Sequence, residues 1–195
     1  MTQDSKHEME HAPDDVVTRQ EPLREQYREA PEAALVTDRA TTTGYDLSDP
    51  WHGEVEPGSE DHGETWPFGV HRAVGGFHDA PNPGDILCAA LATCLDSTIR
   101  LIADRLGVTL EALEVEVTAD VDVRGTLVVR RDVPVRFQSM QCHVDIEPAE
   151  GTDPKLVRKL LKGAEYSCVN LQTLRNGVSV ETSVDVGEND PPDPA

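Results

Sequence analysis

The sequence predicts an α+β domain, on three observations. Ile86–Leu106 is a long run without Pro or Gly. From Leu113 to Val123 apolar and polar residues alternate strictly, the period of a half-buried strand. Strand-like and helix-like segments come in blocks instead of alternating one for one, which disfavours a doubly wound parallel sheet.

The elements follow in order. Residues 1–33 are polar and charged, with Pro13, Pro22 and Pro31 and only isolated apolar residues. They read as a disordered arm with room for a short helix near Glu21–Ala30. Ala34–Tyr45 is an opening strand, and Asp46–Thr65 is an acidic, turn-rich loop or hairpin. Pro67–Val74 is a further strand, closed by Gly75 and Gly76. Pro83 and Asp85 give a helix start, and Gly107 a C-terminal cap. The first half of that helix is apolar nearly all round, which predicts burial on every side, whereas Asp96, Ser97, Arg100, Asp104 and Arg105 bring its end to the surface.

Val135–Ile146, with Met140, Cys142, Val144 and Ile146 on one face, is the expected partner of the Leu113–Val123 strand. Asp153 and Pro154 open a basic amphipathic helix, and a short helix over Cys168–Arg175 leads to an Asn176-Gly177 turn. A closing strand is expected at Val178–Val186. The domain therefore spans 34–187, and 188–195, rich in Pro and Asp, is a disordered tail.

Lys and Arg number 17 against 37 Asp and Glu, a formal charge of -20. That field repels phosphate backbones and anionic lipid, which argues against nucleic acid and membrane surfaces as partners. No apolar run is expected to reach the ~20 residues of a bilayer span. The first residues carry neither a basic n-region nor an apolar h-region, so the cytoplasm is the expected compartment. A carboxylate surface this dense also suits high salt, where screening relieves self-repulsion.

Four cysteines stand at 88, 94, 142 and 168, with no CxxC pair to suggest a zinc knuckle or a thioredoxin motif. A cysteine in such a setting is first a small buried hydrophobe. Cys88 and Cys94 are six residues apart on one helix, roughly 120° from sharing a face. Cys88 shares its face with Ala92, Leu95, Ile99 and Ile102, and Cys142 lies on the apolar side of a strand; both are expected to be structural. Cys94 stands where the buried helix turns polar. Cys168 stands at a helix start, where free N–H groups favour thiolate. These two are the candidates for a nucleophile and a resolving partner.

The stretches Pro83-Gly-Asp-Ile-Leu-Cys-Ala-Ala-Leu-Ala-Thr-Cys94 and Ala164-Glu-Tyr-Ser-Cys168-Val-Asn-Leu-Gln-Thr-Leu174 resemble the two active-site signatures of the OsmC/Ohr family of thiol-dependent hydroperoxide reductases. The order of elements between them is similar too, so the resemblance covers about 35–186. It implies an intertwined homodimer, with sheets wrapping two central helices and active sites at the interface. It implies Cys94 as the peroxidatic thiolate and Cys168 as the resolving cysteine. The substrate would be an organic, fatty-acid-type hydroperoxide, the reductant an external lipoyl-type dithiol, and no metal or other cofactor would be needed. Typical peroxidases of the family pair an arginine with a glutamate directly after the helix-start proline. Here that position is Gly84, with Asp85 next to it, and the arginine is either Arg39 or Arg72. The family's Cys-Pro at the second site is Cys168-Val169 here.

The departure at Gly84 keeps a rival open: a non-enzymatic module of the same fold that binds a small apolar ligand or senses oxidants. His52, His62, His71 and His78 lie among acids, but their spacing matches no metal-ligand pattern and reads as loop histidines.

Overall fold

The computed structural model describes residues 15–42, 46–58 and 64–185. The first fourteen residues of the arm, the loop histidine His62 and the tail expected at 188–195 lie outside the described residues. Among the described residues, five helices and two antiparallel sheets give the expected α+β class: α1 (Val16–Glu29), β1 (Ala40–Thr42), β2 (His52–Pro57), β3 (Trp66–Gly69), α2 (Pro83–Leu106), β4 (Leu110–Val121), α3 (Val123–Thr126), β5 (Phe137–Pro148), α4 (Pro154–Ser167) and α5 (Val169–Asn176). The strands pair in the orders β1-β2-β3 and β4-β5.

The β4–β5 ribbon follows the sequence pattern rung by rung. Leu113 faces Ile146, Val115 faces Val144, Val117 faces Cys142 and Ala119 faces Met140. The other side pairs Glu114 with Asp145 and Glu116 with His143, a polar face. Because the side-chain period is two, that matching fixes the register.

Helix α2 is the centre of the core. Asn82 caps it: its Oδ1 accepts from the Gly84 amide, and the Asp85 carboxylate reaches back to the Asn82 amide as a capping box. Gly107, at φ 66°, ends it in the left-handed region. Leu91, Leu95, Ile99 and Ala103 form its buried stripe, packed with Leu160, Ala164, Cys168 and Leu171 of the α4–α5 segment. The basic side chains of α4 lie on the opposite face from Leu160 and Ala164, as the amphipathic pattern requires.

Several expectations are refined or corrected. The helix of the arm is longer than the short one expected near Glu21–Ala30. Residues 16–29 form α1, capped by Asp15 and fastened to the end of α2 by the Asp104 carboxylate on the Val16 amide and by Arg105 on Gln20 and Glu21. No residue of α1 is buried, so there was no apolar periodicity to read. The acidic stretch 46–65, expected as a loop or hairpin, supplies strand β2, the middle of an antiparallel sheet. Helix α2 is long and apolar enough, by length and composition, to cross a membrane, yet it is the helix on which this core is built. Within one chain it is buried along one stripe only, and Leu87 and Leu101 are 37% and 43% exposed. Finally, 178–185, expected as a closing strand, form none, and Val178, Val180 and Val184 are all exposed.

A histidine clasp ties β2 to the segment before α2. His52 Nδ1 lies 2.8 Å from Asp49 Oδ2, and Nε2 lies 3.0 Å from Asp79 Oδ1. Its ring stacks on Phe77, with centroids 5.8 Å apart. A neutral imidazole donates from one nitrogen only, so both contacts are satisfied together by the imidazolium. Asp49, then Asp79, raises the pKa of His52, and His52 in turn holds both carboxylates below their ordinary value. The raised group stabilises the fold fully below about pH 6.5 and loses that contribution as pH climbs through its folded pKa. The lowered carboxylates contribute above about pH 3.9 and fade as pH falls through their folded values. An NMR titration should therefore place His52 above the ordinary histidine value, and Asp79→Asn should lower it. An unshifted His52 in the unaltered protein would contradict the clasp.

Candidate active site

Two local devices bring Cys94 and Cys168 together. Cys94 lies on α2 between the buried Leu91 and Leu95 and is itself half-buried. Its turn is braced by hydroxyls. Thr93 Oγ1 donates to the carbonyls of Ala89 and Ala90, and Ser97 and Thr98 both donate to the Cys94 carbonyl. Cys168 is the one residue joining α4 to α5. Its amide donates to Ala164 O, ending α4, and its carbonyl accepts from the Gln172 amide in the first turn of α5. An extended backbone (φ -72°, ψ 108°) there turns the chain and drives the side chain inward, where it is 0% exposed.

The Cys168 thiol donates to the Cys94 sulfur at 3.3 Å. A disulfide needs about 2.05 Å, so the sulfurs must close by roughly 1.3 Å. Burial pushes the Cys168 thiol up, and the adjoining Cys94 adds to the rise; the amides of Leu171 and Asn170, at the start of α5, pull the other way. Burial prevails. Burial thus favours the thiol form of Cys168, contrary to the thiolate expected from its helix position alone.

The other candidates are not part of this contact. Asp85 belongs to the capping box, nine residues before Cys94 and so roughly 14 Å away along the helix axis. Arg39 donates to Gly58 O and Arg72 to Phe77 O. Within one chain, among the described residues, neither arginine forms an ion pair with Asp85 or a hydrogen bond with either cysteine. At Gly84, where the family carries glutamate, a Cβ would lie 2.9 Å from the capping Asn82 Oδ1 and 3.1 Å from Phe137 Cζ, so both side chains would have to shift to admit one.

Cys88 is half-buried, and burial raises its pKa first, with Asp85 adding to the rise. Cys142 is exposed, not buried as its strand face suggested. It overhangs a cleft of about 680 Å³ between β5 and the α2, α4 and α5 helices, lined by Leu91, Leu95, Met140 and Leu171, with Arg136 and Arg175 also on its wall. Leu95 and Leu171, close to Cys94 and Cys168 in sequence, line the cleft, although neither sulfur does. Among the described residues no cluster of His, Cys, Asp and Glu could hold a metal ion. Sequence reasoning missed Asn170, whose side chain donates to Ala90 O at 2.7 Å; an Asn two residues into a helix carries no signal of a long-range partner.

The family model described as OsmC-like protein matches residues 76–183, more than half of the chain. No curated protein matches it in sequence. Among solved structures, it is similar to an organic hydroperoxide resistance protein OsmC from Legionella pneumophila, with 24% identity, 78% of this chain and 98% of that one covered, and a TM-score of 0.54. An OsmC-like protein from Mycoplasma pneumoniae has 14% identity, coverage of 73% and 89%, and a TM-score of 0.57. One of unknown function from Vibrio cholerae has 12% identity, coverage of 71% and 94%, and a TM-score of 0.57. At these identities the likeness is one of fold, and the family model adds the sequence of the central helix, the ribbon and both cysteines: the chain belongs to the OsmC-like protein family.

Proposed function

We propose that this protein is a thiol peroxidase for organic hydroperoxides, and the observation that carries the reading is the 3.3 Å contact between Cys94 and Cys168. Cys94, the more accessible sulfur, attacks the distal peroxide oxygen. The O–O bond breaks, the alcohol leaves with a proton, and Cys94 becomes a sulfenic acid. Cys168 then attacks that sulfur: an S–S bond forms, the S–O bond breaks, and water leaves with the Cys168 proton. An external dithiol of the lipoyl type restores both thiols by exchange. The apolar cleft lined by Leu91, Leu95 and Leu171 favours substrates with a long hydrocarbon portion, such as fatty-acid hydroperoxides. The working unit is a homodimer in the cytoplasm. A polar partner for Cys94, such as an arginine, would come from the second copy.

A second reading has its own observation. Position 84 is glycine where the family's peroxidases carry glutamate, which suits a ligand-binding or oxidant-sensing protein that does not turn over. Anaerobic thiol titration before and after one equivalent of cumene hydroperoxide separates the two. The peroxidase loses two thiols per chain rapidly, and peptide mapping finds Cys94 joined to Cys168 with Cys88 and Cys142 reduced. Slow or non-stoichiometric loss favours the second reading, and a dominant Cys88–Cys94 crosslink would sink the assignment of the pair.

A further inference from the structure

We infer that Asn170 is a positioning residue for disulfide closure, tethering the start of α5 to the turn of α2 that carries Cys94. The inference rests on the reading of Cys94 and Cys168 as reacting partners. Asn170 Nδ2 donates to the Ala90 carbonyl at 2.7 Å, across 80 positions of sequence. Among the described residues it is the one hydrogen bond joining α5 to α2 apart from the thiol contact itself. The other side-chain bonds of α5 run back to Glu165 on α4, from Gln172 and Arg175, or stay within α5.

Its placement couples both cysteines. In an α-helix the carbonyl four residues before Cys94 is that of Ala90, so the tether ends on the acceptor of Cys94's own amide. The Ala90 carbonyl has two lone pairs, and the Thr93 hydroxyl, which also reaches it at 3.2 Å, makes its shorter contact of 2.9 Å to Ala89 O, leaving the Ala90 oxygen to the Asn170 side chain and the Cys94 amide. At the other end, the backbone amides of Asn170 and Leu171 face the Cys168 sulfur. One residue thus touches the cradle of each thiol. Val169, where the family carries proline, leaves the turn after Cys168 without a ring to stiffen it. The tether supplies restraint there by another route.

The step that needs this restraint is the second. Cys168–SH and Cys94–SOH must approach to about 2.05 Å with a dihedral near 90°, forming S–S and releasing water. Formation of the sulfenic acid needs only Cys94 and the peroxide. While the sulfenic acid waits, a second peroxide can oxidise it to sulfinic acid. Losing the tether should therefore slow closure and raise over-oxidation, leaving the first oxidation nearly alone.

Two variants test this. Asn170→Ala removes the donor. Asn170→Asp keeps the shape and places an acid in the first turn of α5, which favours the helix, while removing the N–H donor. With one equivalent of cumene hydroperoxide and acid quenching, mass spectrometry follows sulfenic acid and disulfide separately. In both variants disulfide formation should slow by roughly tenfold, the scale of one hydrogen bond and its share of alignment. Oxidation of Cys94 should stay within about twofold, and sulfinic acid should accumulate under excess peroxide. Closure at the unaltered rate in both variants overturns the role of Asn170 alone. Equal slowing of both steps also overturns it, since that is general damage to the fold. If the unaltered protein forms no Cys94–Cys168 disulfide, the failure lies with the pair itself and takes this inference with it.

Discussion

Cys94→Ser should abolish hydroperoxide consumption, a loss of more than about a thousandfold, because a serine hydroxyl is a far poorer nucleophile at neutral pH without an adjacent base. Cys168→Ser should behave differently. It should consume one equivalent per chain and then stop, leaving a sulfenic acid at Cys94 that a dimedone-type probe traps. The asymmetry follows from the surroundings of the two sulfurs. Cys168 is fully buried, and burial favours its thiol form; Cys94 is half-buried on a turn that ends toward polar residues. Activity surviving in Cys94→Ser would move the nucleophile elsewhere, with the exposed Cys142 the first alternative. If Cys168→Ser cycles normally with a lipoyl dithiol, the resolving role is wrong.

The parts of this molecule that were legible in the sequence are those whose signal is local and repeated. The β4–β5 ribbon announces itself through alternation, and its register through the matching of Val117 to Cys142 and Ala119 to Met140. The start of α2 was readable from Pro83 and Asp85, and its end from Gly107, because caps are short-range chemistry. What the sequence hid depends on contacts between distant segments. Helix α1 is held by Asp104 and Arg105, more than 80 positions away, and has no buried face of its own.

The same distinction runs through the candidate site. Cys94 and Cys168 were singled out by position in their helices and by family resemblance, and the fold brings them into contact. Asp85 could be read from the sequence both as a helix-start acid and as a candidate for a charged pair, and the structure places it in the capping box. Cys142 looked buried because the pleat points it inward. The β4 side of the ribbon packs on α2, whereas the β5 side overhangs the cleft, so an inward-facing residue there remains exposed. Asn170 was invisible for the converse reason, its role lying wholly in a bond to Ala90.

The second large expected effect concerns assembly: the protein should unfold as a homodimer, with a thermal midpoint that rises with protein concentration. A single chain leaves too much apolar surface uncovered. Phe77 is 57% exposed, Val169 69% and Val180 80%, and one side of the apolar α2 faces solvent at Leu87 and Leu101. The alternating segment 178–185 is a strand pattern without a strand, and the edge of a second chain would satisfy its backbone groups. Its amides should then be protected from hydrogen exchange in the assembled protein. Opposing this is a formal charge of -20 on each copy, whose mutual repulsion is strongest at low salt. Like-charged rungs such as Glu114 opposite Asp145 add to the strain within each ribbon. Raising salt from 0.1 M to 1 M shortens the screening length from about 10 Å to about 3 Å, so the thermal midpoint should rise while the dimer persists. Light scattering during gel filtration at both salts should give twice 21.3 kDa. A compact, stable monomer in both would refute the dimer, and with it the proposal that a second copy supplies the missing partner of Cys94.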